Sequence, residues 1–250
     1  MRIGFDLDGT VADMHEALAR VAVRLFPGVD LSSVPNSTDP TQKPGSDSGS
    51  EVRLSTSGLS SSQMKELWAA ACAQTNFWET LPEIEPGALT RLYEVSMARK
   101  WEVIFITSRP ESAGDTAQVQ SYRWLMKMGF KTPSIFVCHG SRGKISSALA
   151  LDVFVDDRPE NCLDIAIDSQ ARAILVWRGD EGKVPGSARQ LGIGSVSSIN
   201  QCLDILESLD DGKEETGTVV SRLKSLLGLK SKSSRPEPPR RTMAAGYSRG

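Results

Sequence analysis

Residues 3–12 read Ile-Gly-Phe-Asp-Leu-Asp-Gly-Thr-Val-Ala, a short apolar run that carries two carboxylates, Asp6 and Asp8, into a glycine turn. In a strand, side chains two apart share a face, and Gly9 lets the backbone bend where the strand ends. Both carboxylates can then project toward one site. Two close carboxylates repel each other and are costly to desolvate unless a cation or a proton lies between them. The pattern suits a Mg²⁺ site with a nucleophile and a proton donor beside it. An acidic turn closing an ordinary strand is the plainer alternative.

Outward from this strand, Met14, Ala17, Leu18, Val21 and Leu25 keep a helical period up to Phe26-Pro27-Gly28. Residues 31–62 hold eleven serines and almost no large apolar side chain. Such a stretch buries too little surface to offset its ordering entropy and is expected to be a flexible excursion. Ser60 and Gln63 offer a capping box for an amphipathic helix marked by Met64, Leu67, Trp68, Ala71 and Cys72. Pro86 suits the start of the next helix, which carries Leu89, Leu92 and Val95.

From there the chain alternates. Strands are predicted at Glu102–Ile106, Ser134–Val137, Val153–Val155 and Ala173–Trp177, and helices near 112–128 (capped by Ser112 and Asp115), 144–150, 159–168 and 197–208. Short apolar strands alternating with helices indicate an α/β fold: a Rossmann-like parallel sheet with helices on both faces.

The 250 residues suffice for one such domain with an insertion, and the apolar share of 39% is low enough to suggest that part of the chain is unpacked. From Arg222 to Gly250 there are eight Lys or Arg against one acid, Glu237. This basic tail, expected to be largely disordered, could touch an anionic surface, whereas the acidic body argues against a nucleic-acid groove. A weak apolar stripe (Val219, Leu223, Leu226) precedes it. Cys72, Cys138, Cys162 and Cys202 show no metal or redox spacing and read as small apolar residues in a reducing compartment. With no apolar run long enough to span a membrane and a first strand that begins at once, the expected location is cytoplasmic.

Ligands of open parallel sheets bind at the carboxyl ends of the strands, so the residues standing there matter most. The first strand ends in Asp6 and Asp8, the second in Thr107-Ser108-Arg109, and a later one in Asp156-Asp157-Arg158, with Lys144 opening the helix before it. An acidic cluster joined by hydroxyl and ammonium donors is what metal-assisted phosphoryl transfer requires. Each piece also has a plainer reading. Thr107 and Ser108 could cap a helix, Lys144 could be a surface lysine with Lys131 as its rival, and Asp156-Asp157 could cap the helix that begins at Pro159.

The order Asp-Leu-Asp-Gly-Thr (6–10), Phe-Ile-Thr-Ser (105–108), Lys144 and Phe-Val-Asp-Asp (154–157) resembles the four motifs of the haloacid dehalogenase (HAD) superfamily of phosphatases. More narrowly, 77–108 with 152–161 resembles the 5'(3')-deoxyribonucleotidase-like branch. The resemblance implies a HAD-like core over 1–12 and 86–209, a small helical cap over 13–85 and a tail over 210–250. It implies Asp6 as the nucleophile, Asp8 as proton donor and then base, and Thr107, Ser108 and Lys144 as phosphate-binding groups. Mg²⁺ would be held by Asp6, the Asp8 carbonyl and an acid of the Asp156-Asp157 pair, with Asp157 favoured and Asp156 orienting Lys144. The implied substrate is a small phosphorylated metabolite, a nucleoside monophosphate in the narrower branch.

Arg109 departs from the proline that the close deoxyribonucleotidases carry after the Thr-Ser pair. His15 and His139 are isolated. Phe77 and Trp78 suit either the core of the cap or a stack on a substrate base.

Overall fold

The apolar strand at the start of the chain becomes β1 (Arg2–Asp6) and lies in the middle of the sheet. The computed structural model describes residues 1–28 and 59–211. β1 is flanked by β2 (Glu102–Thr107) and β4 (Val153–Asp156), beyond which come β3 (Ser134–Val137), β5 (Arg172–Val176) and β6 (Gly194–Val196), in the order β3-β2-β1-β4-β5-β6. Every pairing is parallel, and Phe5 stands level with Phe105 and Val155.

Side chains alternate between two apolar clusters. Ile3, Phe5, Phe105, Val155 and Ile174 enter one, and Ile106, Phe154 and Leu175 enter the other. The sheet is therefore buried on both faces, as its near-continuous apolar strands require. The first cluster is completed by α1 (Met14–Leu25), α2 (Ser61–Cys72), α3 (Ala88–Arg99), α4 (Ala117–Lys127) and α8 (Ile199–Asp211). The second is completed by α5 (Arg142–Ala148), α6 (Pro159–Asp168) and α7 (Gly186–Gln190). Trp78 and Trp124 are wholly buried in the first. The result is the expected Rossmann-like α/β fold.

Several ends differ from the sequence expectation. The helix expected near 112–128 begins at Ala117, because Thr116, rather than Ser112, accepts the hydrogen bond from Val119 N. Ser112 instead pairs with the side chain of Gln120. β6 and α7 carry too short a pattern to be read: three residues opening on Gly-Ser, and five with a single buried apolar side chain. The capping box of Ser60 and Gln63 forms as expected.

The residues expected to form a cap hold α1, α2 and a 3₁₀ turn at Phe77–Glu79, with α1 packed on α2. The serine-rich stretch falls almost wholly outside the described residues, as does the tail beyond Asp211 with its apolar stripe. Among the described residues, no helix is long and apolar enough to cross a membrane.

Backbone hydrogen bonds and one arginine hold the turn after β1. Ala12 N donates to Leu7 O at 2.8 Å, closing the turn, and Asp13 N donates to Pro82 O at 2.9 Å. Arg178 donates to the carbonyls of Gly9 (2.8 Å) and Thr10 (2.9 Å) and to Glu85 (2.8 Å), while Glu85 also accepts from Ile199 N at the start of α8.

Candidate active site

The strand order reverses between β1 and β4, and at such a switch point the loops at the carboxyl ends diverge and leave a crevice. β1 brings Asp6 there and β4 brings Asp156, with Asp157 next in chain. One carboxylate oxygen from each of the three lies within 4.8 Å of the others.

Burial dominates the electrostatics of this cluster. It pushes the Asp6 carboxyl well above the ordinary range; the neighbouring Asp156 charge adds to the rise, and Arg142 offsets part of it. Burial and the Asp157 charge push Asp156 up to about 7. Asp157 rises to about 7 through burial and its proximity to Asp6. Three oxygen donors with a surplus of buried negative charge fit a hard divalent cation such as Mg²⁺, whose binding would relieve the repulsion.

The two later acids differ in what already holds them. Both Asp156 oxygens accept from Asn161 Nδ2, and Oδ1 also accepts from Arg158 N. Asp157 Oδ1 accepts from the Thr10 hydroxyl at 3.1 Å. Gly9 makes room for this pair: at φ +88° its Cα approaches so closely that an added Cβ would lie 2.3 Å from Asp157 Oδ2.

Asp8 faces the pocket with its side chain 11% exposed. Thr107 donates its hydroxyl to Asp8 Oδ2 at 3.1 Å, and Arg109 donates Nη2 to Oδ1 at 2.7 Å and Nε to both oxygens at 3.0 Å. Arg109, noted in the sequence only as a departure, thus touches the second carboxylate directly.

The cation beside Asp6 is Arg142. Its Nη2 donates to Ser108 Oγ at 2.8 Å and to Asp6 Oδ1 at 3.2 Å, and the side chain is 6% exposed. Lys144 stands elsewhere: two residues along α5, its side chain falls on the exposed side of the helix, outside the pocket lining. A helix turns by about 200° over two residues, so only one of this pair can face the sheet. Ser141 caps α5 and Asp164 of α6 accepts from both Ser141 Oγ and Gly143 N, which fixes the first turn of α5, and with it Arg142, at the site. Lys131, the rival lysine, is exposed and lies 5.7 Å from the Tyr93 ring.

The structure therefore brings Asp6, Asp8, Thr107, Ser108, Asp156 and Asp157 together, and does not bring Lys144. Met14, Trp68 and Trp78 line the pocket from the insert after β1, with Arg158 and Asn161 beside them. Phe77 and Trp78 belong to the core, being 1% and 0% exposed, and Trp78 also borders the pocket. His139 is exposed and His15 half-buried, and neither lines it.

No family model matches the chain, and no curated protein does. Among solved structures it is similar to a HAD family hydrolase from Deinococcus radiodurans with bound phosphate and sodium, at 14% identity and a TM-score of 0.49, over 87% of this chain and 98% of the other. A hydrolase from Pseudomonas syringae follows at 15% identity and a TM-score of 0.45, over 84% of this chain and 99% of the other. A haloacid dehalogenase-like family hydrolase from Xanthomonas campestris gives 14% and 0.45, over 86% and 97%. Likenesses this distant leave the chemistry to the residues of this chain.

Proposed function

We propose that this chain is a Mg²⁺-dependent phosphomonoester hydrolase of the HAD type, working through an aspartyl-phosphate on Asp6. The observation that carries the reading is the convergence on Asp6: a nearly buried carboxylate with a guanidinium 3.2 Å away and two further acids around it. A nucleophile that must approach a phosphoryl dianion needs its charge and that of the phosphate compensated together.

Asp6 would attack phosphorus while the bond from phosphorus to the leaving oxygen breaks, and a proton from the Asp8 carboxyl would pass to that oxygen. Water would then attack the aspartyl-phosphate, Asp8 taking its proton, and the bond from phosphorus to Asp6 would break to release inorganic phosphate. Arg142, Ser108 and Thr107 supply cationic and hydroxyl donors for the phosphoryl oxygens, Arg142 in the role the sequence offered to Lys144. Asp6, the Asp8 carbonyl and Asp157 would hold Mg²⁺. Asp157 is favoured over Asp156 because both Asp156 oxygens are already engaged by Asn161. The cation would supply charge neutralisation at the phosphoryl oxygens.

The small phosphorylated substrate would sit against Met14, Trp68 and Trp78, and we read the segment over 13–85 to which they belong as a cap that excludes water and selects substrates. Trp68 and Met14 in the pocket lining are compatible with the base of a nucleoside monophosphate, the substrate class of the narrower branch. Phosphate release from a panel of phosphomonoesters, with and without EDTA, tests both levels. Mg²⁺-dependent release concentrated on nucleoside monophosphates supports the nucleotidase reading. Release from sugar phosphates alone removes that reading and keeps the hydrolase. No release from any ester contradicts the proposal, and a non-catalytic phosphate- or metal-binding adaptor then replaces it. Transfer to added alcohols would mark a phosphotransferase instead.

A further inference from the structure

Arg109 is the most tightly enclosed cation in contact with the pocket. Its side chain is 0% exposed, an expensive place for a guanidinium unless partners surround it. They do. Nε and Nη2 form a fork on the Asp8 carboxylate, and Nη1 donates to Ser121 Oγ on α4 at 2.9 Å. The guanidinium carbon lies 5.0 Å from the Trp78 ring and 5.6 Å from the Trp124 ring. Those rings are fixed in turn: Trp78 Nε1 donates to Pro110 O at 3.0 Å and Trp124 Nε1 to Leu81 O at 2.7 Å. A planar fork held from four sides fixes both the position and the plane of the carboxylate it grips.

We propose that Arg109 is a positioning residue that holds Asp8 as an oriented carboxylate, ready to take the proton of the water that hydrolyses the phosphorylated Asp6. This rests on the hydrolase reading above. In the structure Asp8 is an acceptor throughout, from Arg109 at both oxygens and from Thr107 at Oδ2. That is the form a base needs, and it bears on the second half of the reaction. The first half with p-nitrophenyl phosphate depends little on Asp8, since nitrophenolate leaves without being protonated.

The test compares wild type, Arg109→Lys and Ser121→Ala with p-nitrophenyl phosphate and Mg²⁺ in stopped flow. Lysine keeps the charge but cannot fork. For Arg109→Lys the inference predicts that kcat and KM fall together by about 10²-fold, the usual worth of an oriented acid–base group. kcat/KM, which reports only the steps up to departure of nitrophenolate, stays within about threefold. A burst of nitrophenolate precedes the slow steady state, and phosphorylated protein accumulates.

Ser121→Ala, the milder change, should give the same split in smaller degree, and it decides the matter if Arg109→Lys does not fold. An equal loss in kcat and kcat/KM without a burst means that Arg109 serves the fold or ground-state binding, and overturns the inference alone. Unchanged kinetics in both variants overturns it as well. No hydrolysis by the wild type overturns the hydrolase reading and the inference with it.

Discussion

Arg142 and Asp6 meet at the carboxyl edge of the sheet, Nη2 3.2 Å from Oδ1, with side chains only 6% and 8% exposed. A pair so enclosed is coupled to its surroundings: without the guanidinium, Asp6 faces Asp156 and Asp157 uncompensated. If Arg142 also meets the phosphoryl oxygens, Arg142→Ala lowers kcat/KM by about 10²–10³-fold. Lys144→Ala, on the exposed side of the same helix, stays within about twofold of wild type. Steady-state kinetics on the two variants checks both, and a larger loss from Lys144→Ala would return the role to the lysine.

The acid cluster makes a prediction about metal. Asp156 and Asp157 are pushed up to about 7, so in the metal-free protein they hold protons below that pH, and a cation must displace them. The thermal stabilisation by Mg²⁺ should therefore be large near pH 8, about 2–3 kcal/mol at a hundredfold excess over Kd, and shrink as pH falls through about 7 and below. Raised carboxyl pKa values also mean that the metal-free protein loses stability as pH rises through the same window. Thermal melts of wild type and Asp157→Asn across pH, with and without Mg²⁺, test this. A metal response that grows on acidification contradicts it.

Gly9 supplies a steric test. Its φ of +88° disfavours any side chain, and an added Cβ would lie 2.3 Å from Asp157 Oδ2. Gly9→Ala should cost about 1–2 kcal/mol in backbone strain and weaken Mg²⁺ binding by displacing Asp157. Metal titration followed by the thermal midpoint reads both effects, and unaltered metal affinity would separate Asp157 from the metal site.

Through Arg178, Glu85 ties the turn after β1 to α8. Burial acts to raise its pKa, but Arg178 and the N–H groups of Ile199 and Asn200 outweigh it and hold the carboxyl below its ordinary value. A lowered carboxyl pKa contributes stability above the unfolded value near 4.5 that is lost as pH falls through the folded value. Glu85→Gln should cost about 1 kcal/mol near pH 7, and the difference from wild type should narrow below about pH 4.5. Urea unfolding at both pH values measures it, and a gap independent of pH would leave the ionised carboxylate without a role.

The sheet was legible where apolar strands are long enough to show themselves. Val-Ile-Phe-Ile before Thr107, and Phe5 between Asp6 and Ile3, announce strands buried on both faces, whereas Gly194–Val196 offers too few residues to carry a pattern. The carboxylates of the candidate site were legible because strand ends fix their position: Asp6 and Asp156 each close a strand, and adjacent strands bring them together. The cation was not legible. A lysine was expected, and the two basic residues in the first turn of α5 point to opposite sides, so which one faces the sheet depends on where the helix begins. Ser141, a good cap one residue before Arg142, was the available signal. Arg109 lay beyond reach for another reason: its partners Asp8, Trp78 and, on α4, Ser121 and Trp124 come from three separate segments that only the folded chain assembles.

The central claim is that Asp6 carries the phosphoryl group, and rapid acid quench during turnover of p-nitrophenyl phosphate, followed by mass spectrometry of the N-terminal peptide, tests it most directly. The account predicts a phosphorylated peptide with the modification on Asp6 in the wild type. It predicts neither phosphopeptide nor turnover in Asp6→Asn, whose metal-free thermal midpoint is equal to or above that of wild type because a buried charge is gone. Turnover retained by Asp6→Asn, or a phosphoryl group found on another residue, would contradict it.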